Sequence, residues 1–493
     1  MTTVESLNAD VLSQIFLNLD FLERVKIEEV CRTWYHVLQQ QSCFKDMVAL
    51  NVADFLCSSS TEYYQQESLS FGPTVLGVVE RCGVYVKDMT FGQRWLKISQ
   101  QIMDCIAVNC HRLRAIDLGA VILNADISPL LEKVAPILEE FSLEDTSWVE
   151  NEHAEKVQHY FKKMTNLKRL NLHSAMFELT HLDELLGNLK FVDIGGARPF
   201  SSDVFVRFLT NQRSLEELLL APLPVVNTDI LTAMGQLSQL KKLSIGYSDQ
   251  TQHDYTALMG LTTLTSLHMQ NLLGINELTL RLLLASMTKL ETLSIKNCKN
   301  IHDYSSLGSC STLTSLEITD TMQFADEDYL VLCTYGKLKK LALVNCFNLS
   351  TRGVNIASTR CQLRELVVNR CAHVNDEMMY MLASTQRELE SISLQGCSGV
   401  TSKGVSALAW LRNVLLLREI DVSKNRNVDD TVVLSLHNAL TMAYRRDNTK
   451  KYGFEDDDVC CEKVEPRKLL MYITHTSITP RVEDQVSDLI TLC

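Results

Sequence analysis

The sequence predicts an α/β solenoid preceded by a small all-helical module. The solenoid would be a horseshoe, with parallel strands on its concave side and helices on its convex side. Two observations carry that expectation. From position 86 to position 422 a six-residue aliphatic pattern returns about every 25 residues. Residues 7–38 instead repeat their apolar positions at helical spacing. The length agrees, because 493 residues exceed what one core organises and fit several domains or one long array.

The N-terminal module comes first. Leu7, Val11, Leu12, Ile15, Phe16 and Leu19 make one stripe of a helix, with Asn8 as its N-cap. Ile27, Val30, Cys31, Trp34 and Leu38 make a second stripe. Helices spanning about forty residues cannot hold a core alone. The module, taken as residues 1–45, must therefore lean on the repeat array or on another protein. Residues 46–85 read as a linker into the first repeat, with Met47-x-x-Leu50-x-Val52 as a strand-like bridge and Ser58–Thr61 as a loop.

The repeats occupy residues 86–445. The pattern is Leu-x-x-Leu-x-Leu, with an aliphatic residue at each named place. Clear copies are Leu290-Leu293-Ile295, Leu313-Leu316-Ile318, Leu338-Leu341-Leu343, Leu363-Leu366-Val368 and Leu389-Ile392-Leu394. Copies start at 86, 113, 138, 167, 189, 215, 240, 264, 290, 313, 338, 363, 389 and 417, with gaps of 22 to 29 residues. The last two aliphatics are two apart, so both point to one face of a short strand. One strand cannot bury that face, whereas stacked copies can. The remainder of each unit reads as a helix; Met378, Met381 and Leu382 recur at helical spacing in one of them. Eight residues after the first leucine stands Cys298, Cys346, Cys371 or Cys397, with Asn425 in a later unit. A turn entering the interior needs a small residue there, so these cysteines are expected to be structural.

After Leu440 the period fails. Residues 446–465, with the run Glu455-Asp456-Asp457-Asp458, read as an acidic flexible insertion. Residues 466–493 read as a C-terminal capping segment, with Leu469–Ile473 as its strand.

Composition excludes several classes. Lys plus Arg number 47 and Asp plus Glu 60, a formal charge of −13. Nucleic acid and anionic membrane call for a basic face, so neither is an expected partner. No apolar run reaches the length of about eighteen residues that a membrane helix needs. The N-terminus lacks the pattern of a secretory leader, so the expected compartment is cytoplasm or nucleus and the sixteen cysteines are expected to be thiols. No C-x-x-C pair, glycine-rich phosphate loop, G-x-S-x-G or H-E-x-x-H occurs. No cofactor, metal or catalytic residue is therefore expected.

On these residues the repeats resemble the cysteine-containing class of leucine-rich repeats. The N-terminal string Leu7-Asn8-x-x-Val11-Leu12-x-x-Ile15-Phe16-x-x-Leu19, then Arg24-Val25, then Val30-Cys31-Arg32-Thr33-Trp34, resembles the F-box. Asn8 stands where that family usually carries proline. Proteins combining the two are substrate receptors of SCF-type cullin–RING ubiquitin ligases. The resemblance implies that the F-box binds a Skp-type adaptor, and through it cullin and RING protein, while the repeats hold a protein substrate for ubiquitylation. A repeat scaffold with a non-degradative role is the alternative. For the adaptor the resemblance points to Leu7, Val11, Leu12, Ile15, Phe16, Leu19, Val30 and Trp34. For the substrate, the residues flanking the inward pair include His268, Gln270, Lys296, Glu365, Asn369, Gln395 and Asp421. That set holds no arginine cluster, which reads against recognition of a phosphorylated substrate.

Overall fold

The structure, a computed structural model, describes residues 7–40, 43–55, 72–92, 95–198, 200–222, 227–248, 253–332, 337–346, 348–353, 360–452 and 467–493. It divides into two compact units, Met1–Leu240 and Lys241–Cys493.

The first unit opens with three helices, α1 (Ala9–Phe16), α2 (Phe21–Ile27) and α3 (Arg32–Gln40). Asn8 caps α1 as expected, its Oδ1 accepting the Val11 N–H at 2.9 Å. Asp20 and Glu23 close a capping box on α2. Ten strands follow. They are β1 (Ala49–Asn51), β2 (Asp88–Thr90), β3 (Lys97–Ser99), β4 (Ala115–Asp117), β5 (Ile122–Asn124), β6 (Glu140–Ser142), β7 (Ser147–Trp148), β8 (Arg169–Asn171), β9 (Phe191–Asp193) and β10 (Glu217–Leu219). One parallel ladder runs β1-β2-β4-β6-β8-β9-β10. A smaller parallel ladder runs β3-β5-β7. The segment 46–85 thus holds the first rung, β1, with Leu50 opposite Met89. It also holds the helix α4 (Gly72–Cys82).

The second unit is a single parallel ladder in chain order. Its strands are β11 (Lys242–Ser248), β12 (Ser266–Leu272), β13 (Thr292–Lys296), β14 (Ser315–Thr321), β15 (Lys340–Cys346), β16 (Glu365–Asn369), β17 (Ser391–Ser393), β18 (Glu419–Asp421), β19 (Leu469–Tyr472) and β20 (Ile490–Leu492). In register across it lie Leu243, Leu267, Leu293, Leu316, Leu341, Leu366, Ile392, Ile420 and Met471, all buried. Each side chain of this size removed from water contributes about 1.5–3 kcal/mol. Every strand from β2 to β18 in the two long ladders coincides with one of the fourteen hexapeptides. β1, β19 and β20 extend the ladders beyond them, so Leu469–Tyr472 is a rung with a further rung after it. The helix Asp430–Tyr452 runs through position 446. The acidic residues 453–466 lie outside the described residues.

One backbone feature recurs at each turn that leaves a strand. The seventh residue after the first leucine has positive φ in unit after unit: Ala120, Asp145, Ser174, Asn271, Asn297, Asp320, Asn345, Arg370 and Lys424. Asn and Asp tolerate this left-handed conformation best. The next residue turns inward, and there the cysteines sit buried. Each thiol faces the backbone carbonyl one rung back: Cys346 Sγ donates to Ile318 O at 3.5 Å, Cys371 to Leu343 O at 3.6 Å and Cys397 to Val368 O at 2.9 Å. Asn425 Nδ2 makes the same bond to Leu394 O at 2.8 Å. Burial pushes Cys298 and Cys397 up to about 11.

The helices are linked from rung to rung by carboxylates. Asp376 accepts the Thr401 N–H at 2.8 Å and its hydroxyl at 2.7 Å. Asp326 does the same for Ser350, and Asp430 for Thr479. The carboxylate needs room. A β-carbon at Gly404 would overlap Asp376 Oδ1, and one at Gly353 would overlap Asp326 Oδ1.

Two outcomes follow from these ladders. At about pH 8 a buried thiol with a raised pKa stays protonated and inert. Brief native alkylation, read by peptide mass spectrometry, should label exposed Cys493 and spare Cys298, Cys346, Cys371 and Cys397; equal labelling would contradict the turn geometry. Gly404→Ala should destabilise by about 1–3 kcal/mol through overpacking, although helix propensity alone favours alanine by about 1 kcal/mol. The sign of the shift in a urea melt decides between the two.

Candidate functional site

The N-terminal module separates its apolar stripe into an inner and an outer row. Leu12 and Phe16 are 0% and 1% exposed, with the Phe16 ring 5.1 Å from that of Trp34. Val11, Ile15 and Val30 are 43%, 44% and 60% exposed. Leu7, Leu19 and Trp34 are half-buried. Of the residues expected to meet an adaptor, Leu12 and Phe16 are therefore occupied inside the module, between α1 and α3. Tyr35, which sequence reasoning passed over, is exposed on α3.

Arg24 holds this arrangement, and sequence reasoning gave it no role. It is buried, and all its bonds fall within residues 16–46. Its Nε donates to Phe16 O at 3.1 Å and Leu19 O at 2.9 Å, and Nη2 to Leu17 O at 3.1 Å. These carbonyls lie at and just beyond the open end of α1, where Phe16 O also accepts the Leu19 N–H at 3.0 Å. Nη1 donates to Cys43 O at 2.8 Å, and the two Nη groups reach the two oxygens of Asp46 at 2.6 and 2.7 Å. The guanidinium beside Asp46 holds its carboxyl below the usual range. Its sequence signal was its place, as Arg24-Val25, in the string that resembles the F-box, which marked the position without giving it a partner.

The module leans on the repeat array. Buried Glu28 accepts three bonds from Arg81 of α4, at 3.0, 3.0 and 2.7 Å, and one from Gln39 at 3.0 Å. Phe21 packs against Phe44 and Phe55, with ring centroids 5.5 and 5.1 Å apart.

The half-buried strand face of the second unit carries the other expected residues, in two groups. On β12–β14, Gln270 lies in register with Lys296, and His268 with Ser294 and Glu317. Glu317 accepts from Ser294 Oγ at 2.8 Å and pairs with Lys296 at 2.8 Å. Burial, then Lys242, pushes the His268 pKa down. On β16–β18, Ser393 Oγ lies 2.9 Å from Asn369 Oδ1 and 3.0 Å from Asp421 Oδ2, and the Gln395 N–H donates to Asn369 Oδ1 at 2.8 Å. Glu365 joins neither group; it pairs with Lys340 at 2.8 Å. Glu317 was missed, yet it flanks the inward pair Leu316 and Ile318 as its neighbours flank theirs. Tyr472 on β19, opposite Asp421, was also missed. Nearby Glu419 raises its hydroxyl pKa.

A stack of strand, left-handed turn and helix with this register is the leucine-rich-repeat fold. Residues 4–46 match the F-box domain family. The chain thus carries an F-box in front of leucine-rich repeats. Similar solved structures include an internalin of Listeria monocytogenes, at 17% identity over 74% of this chain and 92% of that one, with a TM-score of 0.38. Rad7, from its yeast complex with Elc1, is 16% identical over 70% of this chain and 88% of that one, with a TM-score of 0.46. A leucine-rich-repeat protein of Leptospira interrogans is 15% identical over 84% and 91%, with a TM-score of 0.38. Among the described residues no helix is long and apolar enough to cross a membrane.

Arg24→Ala should unfold the module while leaving the repeats folded. It strands the Leu17, Leu19 and Cys43 carbonyls and leaves half-exposed Asp46 unpaired, at a cost of about 1–3 kcal/mol for each carbonyl that stays buried. Arg24→Lys should restore little, because an ammonium cannot span the same acceptors. Proteolysis between α1 and β1 in the variants, absent in the parent, reads this directly.

Proposed function

We propose that the chain is the substrate-recognition subunit of an SCF-type cullin–RING ubiquitin ligase. Its F-box would bind a Skp-type adaptor, and through it cullin and RING protein, and its strand face would hold a protein substrate. The observation that carries this reading is the outer apolar row of the F-box. Val11, Ile15 and Val30 stand exposed on a module whose inner row is already packed and which Glu28 ties to α4. Apolar side chains left outside a satisfied core mark a surface for a partner. The second group on the strand face, around Ser393, and the first, around Glu317, offer directional polar groups on a rigid ladder. That is the character of a specific docking face rather than a reaction centre. The chain would be non-catalytic, acting by holding substrate lysines at high effective concentration near the transferring enzyme.

Affinity purification from cells compares the parent with three variants. Val11→Asp and Ile15→Asp should lose adaptor, cullin and RING protein together while keeping the parent melting temperature. Leu12→Asp should lose them and also unfold the module, since a buried unpaired carboxylate costs several kcal/mol. Adaptor retained by Ile15→Asp would remove the outer row from the interface. Adaptor captured without cullin would favour the scaffold role, which accumulation of captured proteins on depletion of the chain would argue against.

A further inference from the structure

The first unit carries a second site, at the edge where its strands begin. Lys87, Arg114, Glu139 and Lys168 immediately precede β2, β4, β6 and β8. Backbone bonds chain them: Arg114 N–H to Lys87 O at 2.7 Å, Glu139 N–H to Arg114 O at 2.6 Å and Lys168 N–H to Glu139 O at 2.8 Å. They therefore stand on consecutive rungs, about 4.8 Å apart. With Arg112 and Asn166 they line a concavity of about 560 Å³. Four cations and one carboxylate surround it, in a chain whose formal charge is −13.

Glu139 reports the chemistry of this edge. Arg114 Nη1 reaches one of its oxygens at 2.9 Å and Lys168 Nζ the other at 2.5 Å. The two cations hold its carboxyl below the usual range, Lys168 most strongly. Two cations remain. Among the described residues neither Lys87 nor Arg112 forms an ion pair, in contrast to Lys190 and Glu216 further along the same edge, which pair at 3.1 Å. Arg114 gives only one of its nitrogens to Glu139, leaving its fork partly free. An ordinary ladder of surface ion pairs would balance its charges rung by rung. This one sets four cations against one carboxylate, an excess of three, and two of the cations, Lys87 and Arg112, have no ion pair among the described residues.

We propose that the concavity binds a phosphomonoester dianion, carried on a phosphorylated segment of a partner protein. Two uncompensated cations match a dianion better than a carboxylate, and the forks of Arg112 and Arg114 fit phosphate oxygens in pairs. A nucleic acid strand is a poorer match, because exposed Asp88 and Glu140 follow on the strands; Glu140 is partnered by Arg169 at 3.8 Å, and Asp88 would oppose a continuous phosphate backbone. The strand-face residues of the later repeats gave no arginine cluster; this cluster is assembled from four repeats of the first unit. The proposal does not depend on adaptor binding, since the chain itself holds the site.

The test uses the full chain and fluorescence polarisation with a labelled degenerate peptide pool built on a fixed phosphoserine, beside the same pool with serine. The phosphorylated pool should bind and the serine pool should not. Lys87→Glu with Arg112→Glu should weaken binding by about tenfold or more, and Glu139→Gln should strengthen it several-fold, at unchanged melting temperature. The opposite signs separate charge recognition from a structural role. Equal binding of the two pools overturns the proposal, as does weaker binding by Glu139→Gln. Binding of pyrophosphate without the phosphopeptide pool overturns it in favour of a free small phosphate. Binding of a single-stranded oligonucleotide at equal strength overturns it in favour of nucleic acid.

Discussion

No strand here can stand alone. Two to seven residues bury at most a few side chains and leave both backbone edges open, and a buried N–H or C=O without a partner costs about 1–3 kcal/mol, as much as one such side chain returns. The rung before and the rung after supply the missing bonds, and their Leu, Ile and Val supply the other half of each contact. Register is therefore fixed by burial: a slip of one residue would turn every inward leucine out. Other regularities follow from that constraint. The chain must leave each strand by the same turn, so a left-handed residue recurs at the seventh place. It must enter the interior at the same depth, so a thiol or an amide recurs at the eighth. There Cys397 and Asn425, chemically unlike, each donate to the carbonyl one rung back.

The same constraint makes the surface readable in columns. Residues some 25 positions apart in sequence become neighbours about 4.8 Å apart. Glu317 meets Ser294 and Lys296 for this reason, and Lys87, Arg112, Arg114 and Lys168 come to surround Glu139. The F-box follows a different rule. Too small for a sufficient core, it uses buried charge. Arg24 closes α1 against the chain leaving the module, and Glu28 ties α2 and α3 to α4. Buried ion pairs seldom add net stability over apolar packing, but they tolerate only one geometry. That geometry fixes which row of α1 faces outward.

Much of this was legible in the sequence, and the limits have physical causes. The hexapeptide marked the strands from β2 to β18 in the two long ladders because two inward aliphatics and a preceding leucine are a strong local signal. β1 at Ala49–Asn51 was legible in Met47-x-x-Leu50-x-Val52, whereas β20 at Ile490–Leu492 lacks that full signal and pairs because a neighbour's edge is open. The strands β3 and β5 bury one residue each, Ile98 and Leu123, and β7 sets half-buried Trp148 in register with them, too little to announce a sheet. Asn8 was legible as a cap because capping is local. Arg24 was not, because its acceptors at Cys43 and Asp46 lie 19 and 22 residues away.

The apolar stripe of α1 shows where sequence stops. Adjacent helical positions differ by about 100°, so Val11 and Leu12, like Ile15 and Phe16, belong to one broad stripe on any helical wheel. The stripe is wider than one packing partner can cover. α3 covers the Leu12–Phe16 row through Trp34, and Val11 and Ile15 remain outside it. Arg24 and Cys43 meet α1 at Phe16 and Ser13, and neither covers Val11 or Ile15. The width is legible in the sequence, but which row the chain keeps for itself is settled only by the position of α3.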